Sequence, residues 1–252
     1  MHRFYVGSSL LPKSEIGARI DLPEDVSHQI RNVLRLKIGE SFRLFSGDGR
    51  EWTANLTPAV DRKRVSAELL SVTQPDVEMR THVTMVMALN RPQRYEVALA
   101  KCTELGASEF RPMISERVLK SEATIGANRK ERWCRIVTEA AELSGRVRLP
   151  EITEAAPMST VLTDLSAQNT PIIFLWEGAN GPMMSDILTE LRNDDQPPNN
   201  LALVLGPVGG FSENEAMRAN KKGAMLASLG PRILRTETAA IAAMSVVAQF
   251  LR

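Results

Sequence analysis

Leu201-Ala202-Leu203-Val204-Leu205 has no polar position in five residues, and it stops at Gly206-Pro207-Val208-Gly209-Gly210-Phe211-Ser212. A strand with one wet face alternates polar and apolar side chains. A strand without alternation is covered on both faces, as in a parallel sheet layered between helices. The glycine-rich segment is then the turn at that strand's carboxyl end. Ser212 and Glu215 stand at capping-box spacing, so a helix starts there. Open parallel sheets bind ligands outside the carboxyl ends of their strands, and glycines let the backbone come close to a ligand. The segment is therefore either a ligand loop or a tight strand-to-helix turn. Gly206, Gly209 and Gly210 lack the GxGxxG spacing and no GK[ST] follows, which counts against an NAD or ATP site.

The surrounding chain fits the same sheet. Beyond Gln74-Pro75-Asp76, strand and helix patterns alternate: strands over 82–89, 108–114, 171–176 and 224–228, and helices over 94–105, 185–191 and from Thr236. Gly106 is placed to end the first of these helices. Asn128 is placed to cap a further helix running to about Leu143, with Trp133, Ile136, Val137 and Ala140 on one face and Gly145 beyond its end. Asp194 to Asn200 reads as a polar loop. This alternation predicts an α/β domain with a parallel sheet over 73–252. Residues 1–72 are β-rich, with strand patterns at 3–6, 41–45, 51–56 and 65–72 and hairpin chemistry at Ser46-Gly47-Asp48-Gly49, which predicts a small barrel. One helix interrupts it after Pro23. Val26, Ile30, Val33 and Leu34 fall on one stripe, expected to be buried.

Two more strand ends are candidates for a shared pocket. Phe174-Leu175-Trp176-Glu177-Gly178 closes one strand. Ser228-Leu229-Gly230-Pro231-Arg232-Ile233-Leu234-Arg235-Thr236-Glu237-Thr238 joins another to an Ala-rich helix. Apolar Leu229, Ile233 and Leu234 in a loop either plug the core or form a slot for a flat ring. The small residues Ala239 to Ala243 either raise helix propensity or permit close packing with another subunit. His28, Arg31 and Arg35, with Arg3, Lys37 and Arg43 nearby, form a basic face that is either solvated or grips phosphates.

Other chemistries are excluded. The two cysteines, Cys102 and Cys134, make no CxxC, and the three histidines, His2, His28 and His82, leave the last two-thirds of the chain without a triad base. A metal site is not expected. Lys and Arg total 31 against 30 Asp and Glu, so a basic surface must be local. Apolar residues at 43% and charged ones at 24% are globular proportions, and no apolar run approaches the ~20 residues of a membrane span. Met1 to Val6 lacks the apolar stretch of a signal peptide, so a cytoplasmic location is expected.

Taken together, the motifs Gly206 to Ser212 and Leu229 to Ala239 resemble the SPOUT class of RNA methyltransferases, and within it the 16S ribosomal RNA uracil-N3 methyltransferase family. Lys101-Cys102-Thr103-Glu104-Leu105-Gly106, Ala141-Glu142-Leu143-Ser144-Gly145-Arg146 and His28 to Gly39 extend the resemblance over nearly the whole chain. The resemblance implies a trefoil-knotted sheet domain, a PUA-like barrel that helps hold RNA, a homodimer, and S-adenosylmethionine (SAM) as methyl donor, without metal or membrane. It implies a uridine of 16S ribosomal RNA in the small ribosomal subunit as substrate. Leu175, Glu177, Gly206, Gly209, Gly210, Leu229, Gly230, Ile233 and Leu234 would hold the donor. Arg235, Thr236 and Glu237 would serve the reaction, and Arg3, His28, Arg31, Arg35 and Arg146 would contact RNA. Glu237 is open to a second reading, as an acid favouring a helix N-terminus. The sequence departs from the family at Val208, where an acidic residue is usual. Two rivals stand beside this reading, a ribose 2′-O methyltransferase of the same class and a non-catalytic RNA-binding assembly factor.

Overall fold

Alternation of buried and exposed side chains builds the first sheet. The computed structural model describes residues 1–11, 15–58, 61, 64–178, 181–193 and 198–251; Asp194 to Pro197 of the expected polar loop lie outside them. Strands β1 (Arg3–Tyr5), β2 (Arg19–Asp21), β3 (Ser41–Phe45), β4 (Glu51–Thr57) and β5 (Ser66–Thr73) pair in the order β1-β3-β4-β5-β2. Only β1 and β3 run parallel. Phe4 on one edge strand and Ile20 on the other belong to a single buried cluster with Phe42, Leu44, Trp52 and Leu69, so the sheet curls around its own core.

The helix after Pro23 departs from expectation. Helix α1 (Glu24–His28) passes into a π-helical turn over Gln29–Val33, in which the Leu34 N–H donates to the Gln29 carbonyl at 2.9 Å. The wider turn breaks the 3.6-residue period. Val26 and Ile30 are buried, whereas Val33 is 64% exposed and Leu34 only half-buried.

The compact unit that contains this sheet comprises Met1–Glu78 together with Ala141–Leu149. Two arginines hold the pieces. Arg3 Nε donates to Glu51 at 2.7 Å, and its other nitrogens donate to the carbonyls of Ala141, Glu142 and Arg146, each at 3.0 Å. Arg146 pairs with Glu78 at 2.8 Å, and the same carboxylate accepts the N–H groups of Val147 and Arg148 at 2.9 and 3.0 Å. Arg3 and Arg146, which the resemblance would have contact RNA, thus have these groups of the chain itself as partners. Their guanidiniums lie buried among carboxylates and carbonyls, because a buried charge needs such partners.

The second unit, Met79–Ala140 with Pro150–Arg252, holds a parallel sheet. Its strands are β6 (His82–Ala88), β7 (Glu109–Ile114), β8 (Glu151–Ile152), β9 (Ala156–Pro157), β10 (Ile172–Leu175), β11 (Asn200–Leu205) and β12 (Met225–Ala227). The order is β12-β10-β11-β6-β7-β8, with β9 beside β7. The central strand bears out its composition. Leu201, Leu203 and Leu205 enter one core and Ala202 and Val204 the opposite one. Helices α2 (Pro92–Glu104), α3 (Ala127–Ser144), α5 (Met184–Asn193) and α7 (Thr236–Phe250) supply the first core. Helices α4 (Met158–Ala167) and α6 (Glu213–Lys221) supply the second. Forward steps β6 to β7 and β10 to β11 cross one face, and backward steps β9 to β10 and β11 to β12 cross the other, as a single crossover hand requires.

Asn128 does not cap α3. The helix starts at Ala127, and the Gly126 carbonyl accepts its first bonds, from Arg129 and Lys130 N–H. Among the described residues no helix is long and apolar enough to cross a membrane.

Candidate active site

Strands β12, β10 and β11 are neighbours, and their registers bring Leu175, Leu205 and Ala227 level at the carboxyl edge. The three loops that follow enclose a cavity of about 540 Å³. Leu175, Leu205, Leu229 and Leu234 give it apolar walls, while Gly206, Gly210 and Gly230 present backbone to it. Small-molecule sites usually have this size and composition.

Each loop is fixed by its own bonds. In the loop after β11, the Gly210 N–H donates to the Pro207 carbonyl at 2.9 Å. Gly210 has φ 68°, and a Cβ there would collide with the Glu177 carboxylate. A Cβ on Gly206 would stand 3.1 Å from the buried ring of Phe211, which packs on Phe174. Ser212 then caps α6 as its spacing predicts: its hydroxyl accepts the Glu215 N–H at 3.1 Å, and Glu215 accepts the Ser212 N–H at 2.9 Å. In the loop after β12, Ser228 exchanges backbone bonds with Pro182 and Met184, and its hydroxyl accepts the Gly230 N–H at 3.1 Å. The loops meet where the Thr236 hydroxyl donates to the Gly206 carbonyl at 3.3 Å.

Of the residues singled out in the sequence, Leu175, Glu177, Gly206, Gly210, Leu229, Gly230, Ile233, Leu234 and Thr236 line this cavity. Gly209, Arg235 and Glu237 are not among its lining residues. Arg235 is exposed at the N-cap of α7, with no side-chain cap bond. Glu237 follows in the first turn, with Oε1 3.9 Å from Arg94 Nε and Oε2 buried without a hydrogen-bond partner. Ile233 is 86% exposed, so it neither plugs a core nor is enclosed in this chain. In the other unit His28 and Arg35 are exposed and Arg31 is half-buried.

Three features went unread in the sequence. Leu205 and Ala227 line the cavity as the last residues of strands already recognised as such, so strand register alone would have found them. Met183 also lines it, beside Trp176 of the strand end already singled out. The third feature is the segment after β7. The Glu116 N–H donates to buried Glu215 at 2.8 Å, and the Glu116 carboxylate accepts the Ser212 hydroxyl at 2.7 Å and pairs with Arg218. The Ser212 hydrogen bond, reinforced by Arg218 and Arg117, holds the Glu116 carboxyl below the usual carboxylate range. Next to it, Arg117 Nη1 donates to the Gly209 carbonyl at 2.7 Å.

Comparison with known proteins decides the family. Residues 77–248 match the RNA methyltransferase domain and residues 22–70 the RNA methyltransferase PUA domain. The ribosomal RNA small subunit methyltransferase E of Synechocystis sp. is 34% identical over 236 residues, covering 94% of this chain and 75% of the relative. The chain belongs to the small subunit methyltransferase E family. The Bacillus subtilis member is 30% identical, over 87% of this chain and 86% of its own. The crystal structure of the Neisseria gonorrhoeae member bound to SAM superposes with a TM-score of 0.85 at 30% identity, covering 99% of this chain and 97% of that one. A Legionella pneumophila methyltransferase with bound SAM gives 0.81 at 29% identity, over 98% and 97%. The fold is thus the one the resemblance implied, a SPOUT-type parallel sheet domain preceded by a small PUA-like barrel.

Proposed function

We infer that this chain transfers the methyl group of SAM to N3 of one uridine of 16S ribosomal RNA in the small ribosomal subunit. The observation that carries this reading is the cavity at three adjacent strand ends, in a chain whose fold matches a SAM-bound family member over almost its full length. The cavity suits the donor: leucine walls for a flat ring, and glycines that leave backbone groups within reach of a ribose. Leu175, Gly206, Gly210, Leu229, Ile233 and Leu234 are the residues proposed to hold it, with Glu177 and Gly230 at the margin and Gly209 supporting the loop.

Bound SAM supplies a methyl group activated by its sulfonium. The residues of the chain do the rest. The Thr236 hydroxyl fixes the Gly206 carbonyl and so sets the loop against the start of α7. Orientation of an in-line attack is the main contribution expected of such a site. Uracil N3 must lose its proton before or during attack, and the exposed Arg235 guanidinium at the head of α7 is the group proposed to stabilise the resulting anion. Glu237 sits where its charge favours the helix dipole. His28, Arg31 and Arg35 are proposed to grip RNA from the barrel unit, and the enzyme is proposed to act as a homodimer in the cytoplasm.

The test is transfer of radiolabel from SAM to small subunits lacking the modification, followed by nuclease mapping. Label on N3 of a single uridine is expected. Label on a ribose 2′ oxygen would overturn the site of transfer. Donor binding with no label would overturn the enzymatic reading in favour of an assembly factor. Arg235→Ala is expected to lower kcat by about 100-fold at saturating donor and subunit, the scale of losing one group that stabilises a developing oxyanion.

A further inference from the structure

Beside the cavity, a cation stands outside every role assigned so far. Arg117 is exposed and donates one of its five N–H groups to the Gly209 carbonyl at 2.7 Å. Gly209 immediately precedes Gly210, which lines the cavity. The guanidinium is therefore held against the residue that precedes the cavity wall. The segment beneath it is rigid: Glu215 accepts the Glu116 N–H, and the Glu116 carboxylate is occupied by Ser212 and Arg218. Among the described residues no carboxylate lies within ion-pair distance of Arg117. Residue 208, the neighbour of Gly209 best placed to supply one, is valine and 59% exposed. The charge is thus anchored through a neutral carbonyl; the acid that feels it, Glu116, has its carboxylate taken up by Ser212 and Arg218.

We propose that Arg117 binds a backbone phosphate of the RNA strand that carries the target uridine, and that Val208 keeps this cation available. The inference rests on the RNA-methyltransferase reading above. A strand that delivers a base into the cavity must run its phosphates across the rim, within about one nucleotide of the opening. A guanidinium fork matches a phosphate in charge and geometry. An acid at position 208 would offer the same fork an internal partner and compete with RNA.

The experiment compares Arg117→Gln, Arg117→Lys and Val208→Glu with the unmodified protein in three measurements: KM and kcat with small ribosomal subunits, subunit affinity as a function of salt, and SAM affinity by calorimetry. Arg117→Gln is expected to raise KM for subunits about tenfold with kcat at saturation within twofold, the scale of one charge-assisted hydrogen bond. It is expected to flatten the slope of log affinity against log salt by about 0.7, the counterion term for one contact on a single strand. Arg117→Lys is expected to restore most of that slope. Val208→Glu is expected to weaken subunit binding in the same direction. SAM affinity should stay within twofold throughout. An unchanged KM and salt slope in Arg117→Gln would overturn the proposal. So would SAM affinity falling in parallel with subunit affinity, which would mean that Arg117 only braces the glycine-rich loop. If the unmodified protein places no label on N3, the reading of function fails, yet the salt slope of subunit binding still decides the role of Arg117.

Discussion

At Gly210 the backbone is left-handed and the space above Cα is taken by the Glu177 carboxylate. A side chain there costs about 1–2 kcal/mol for the backbone alone, and the carboxylate must also move. Gly210→Ala is expected to weaken SAM binding by tenfold or more in calorimetry. Glu177→Ala in the same chain should return only part of that loss, since the backbone term remains. Gly210 and Glu177 were both legible as candidates from the strand ends that carry them, and both line the cavity. Their contact was not, because nothing in two segments so far apart announces it. Arg117 was illegible for a related reason: a lone arginine in Ser115-Glu116-Arg117 looks like any surface charge until Gly209 is seen beside it. The two cysteines offer a second check at this scale. Burial pushes the Cys102 thiol up to about 12, while Cys134 is exposed. A thiol reagent at neutral pH should modify one cysteine in the native protein, Cys134, and two after denaturation; rapid modification of both would contradict the burial of α2.

Among elements, β11 was the most legible, because an apolar run with both faces covered leaves few alternatives. Leu203→Ala removes a fully buried side chain from the middle of the sheet. It is expected to cost about 2–5 kcal/mol in urea unfolding. The start of the chain's first helix was legible in Pro23-Glu24-Asp25, but its buried stripe was not. Helical wheels assume 3.6 residues per turn, and the π-helical turn at Gln29–Val33 moves Val33 to the surface. Helix α4 shows the reverse failure: Met158, Val161, Leu162 and Leu165 had a readable helical period that went unread between stronger signals. The clamp between the segment after β7 and the start of α6 adds a prediction about pH. Glu116 is held below its ordinary range, so its contribution to the clamp is complete at neutral pH. That contribution is lost as pH falls through the depressed value, when the carboxyl protonates and its bonds with Ser212 and Arg218 weaken. Amide exchange around Glu116 and Ser212 should speed up under acid, and Glu116→Gln should show the faster exchange already at neutral pH.

For the molecule as a whole, a change from strand runs to strand–helix alternation near Gln74 was visible in the sequence, but the return of Ala141–Leu149 to the first unit was not. That segment reads as the end of a helix, and what ties it to residues 1–78 is a set of buried charges that no periodicity records. Glu78 is central to the tie, since its carboxylate serves Arg146 and two backbone N–H groups. Removing it takes a carboxylate from a guanidinium that is 5% exposed. The loss of one partner of a buried pair costs about 3–5 kcal/mol, whereas replacing both by apolar residues of similar size is often neutral. Glu78→Ala is accordingly expected to destabilise the first unit by about 3 kcal/mol. Urea unfolding followed by Trp52 fluorescence, with Trp133 and Trp176 replaced by Phe, would report it. The double change Glu78→Leu with Arg146→Met should recover most of the loss. If it did not, the two N–H groups that lose Glu78, rather than the broken ion pair, would carry the cost, and the tie would be a backbone cap.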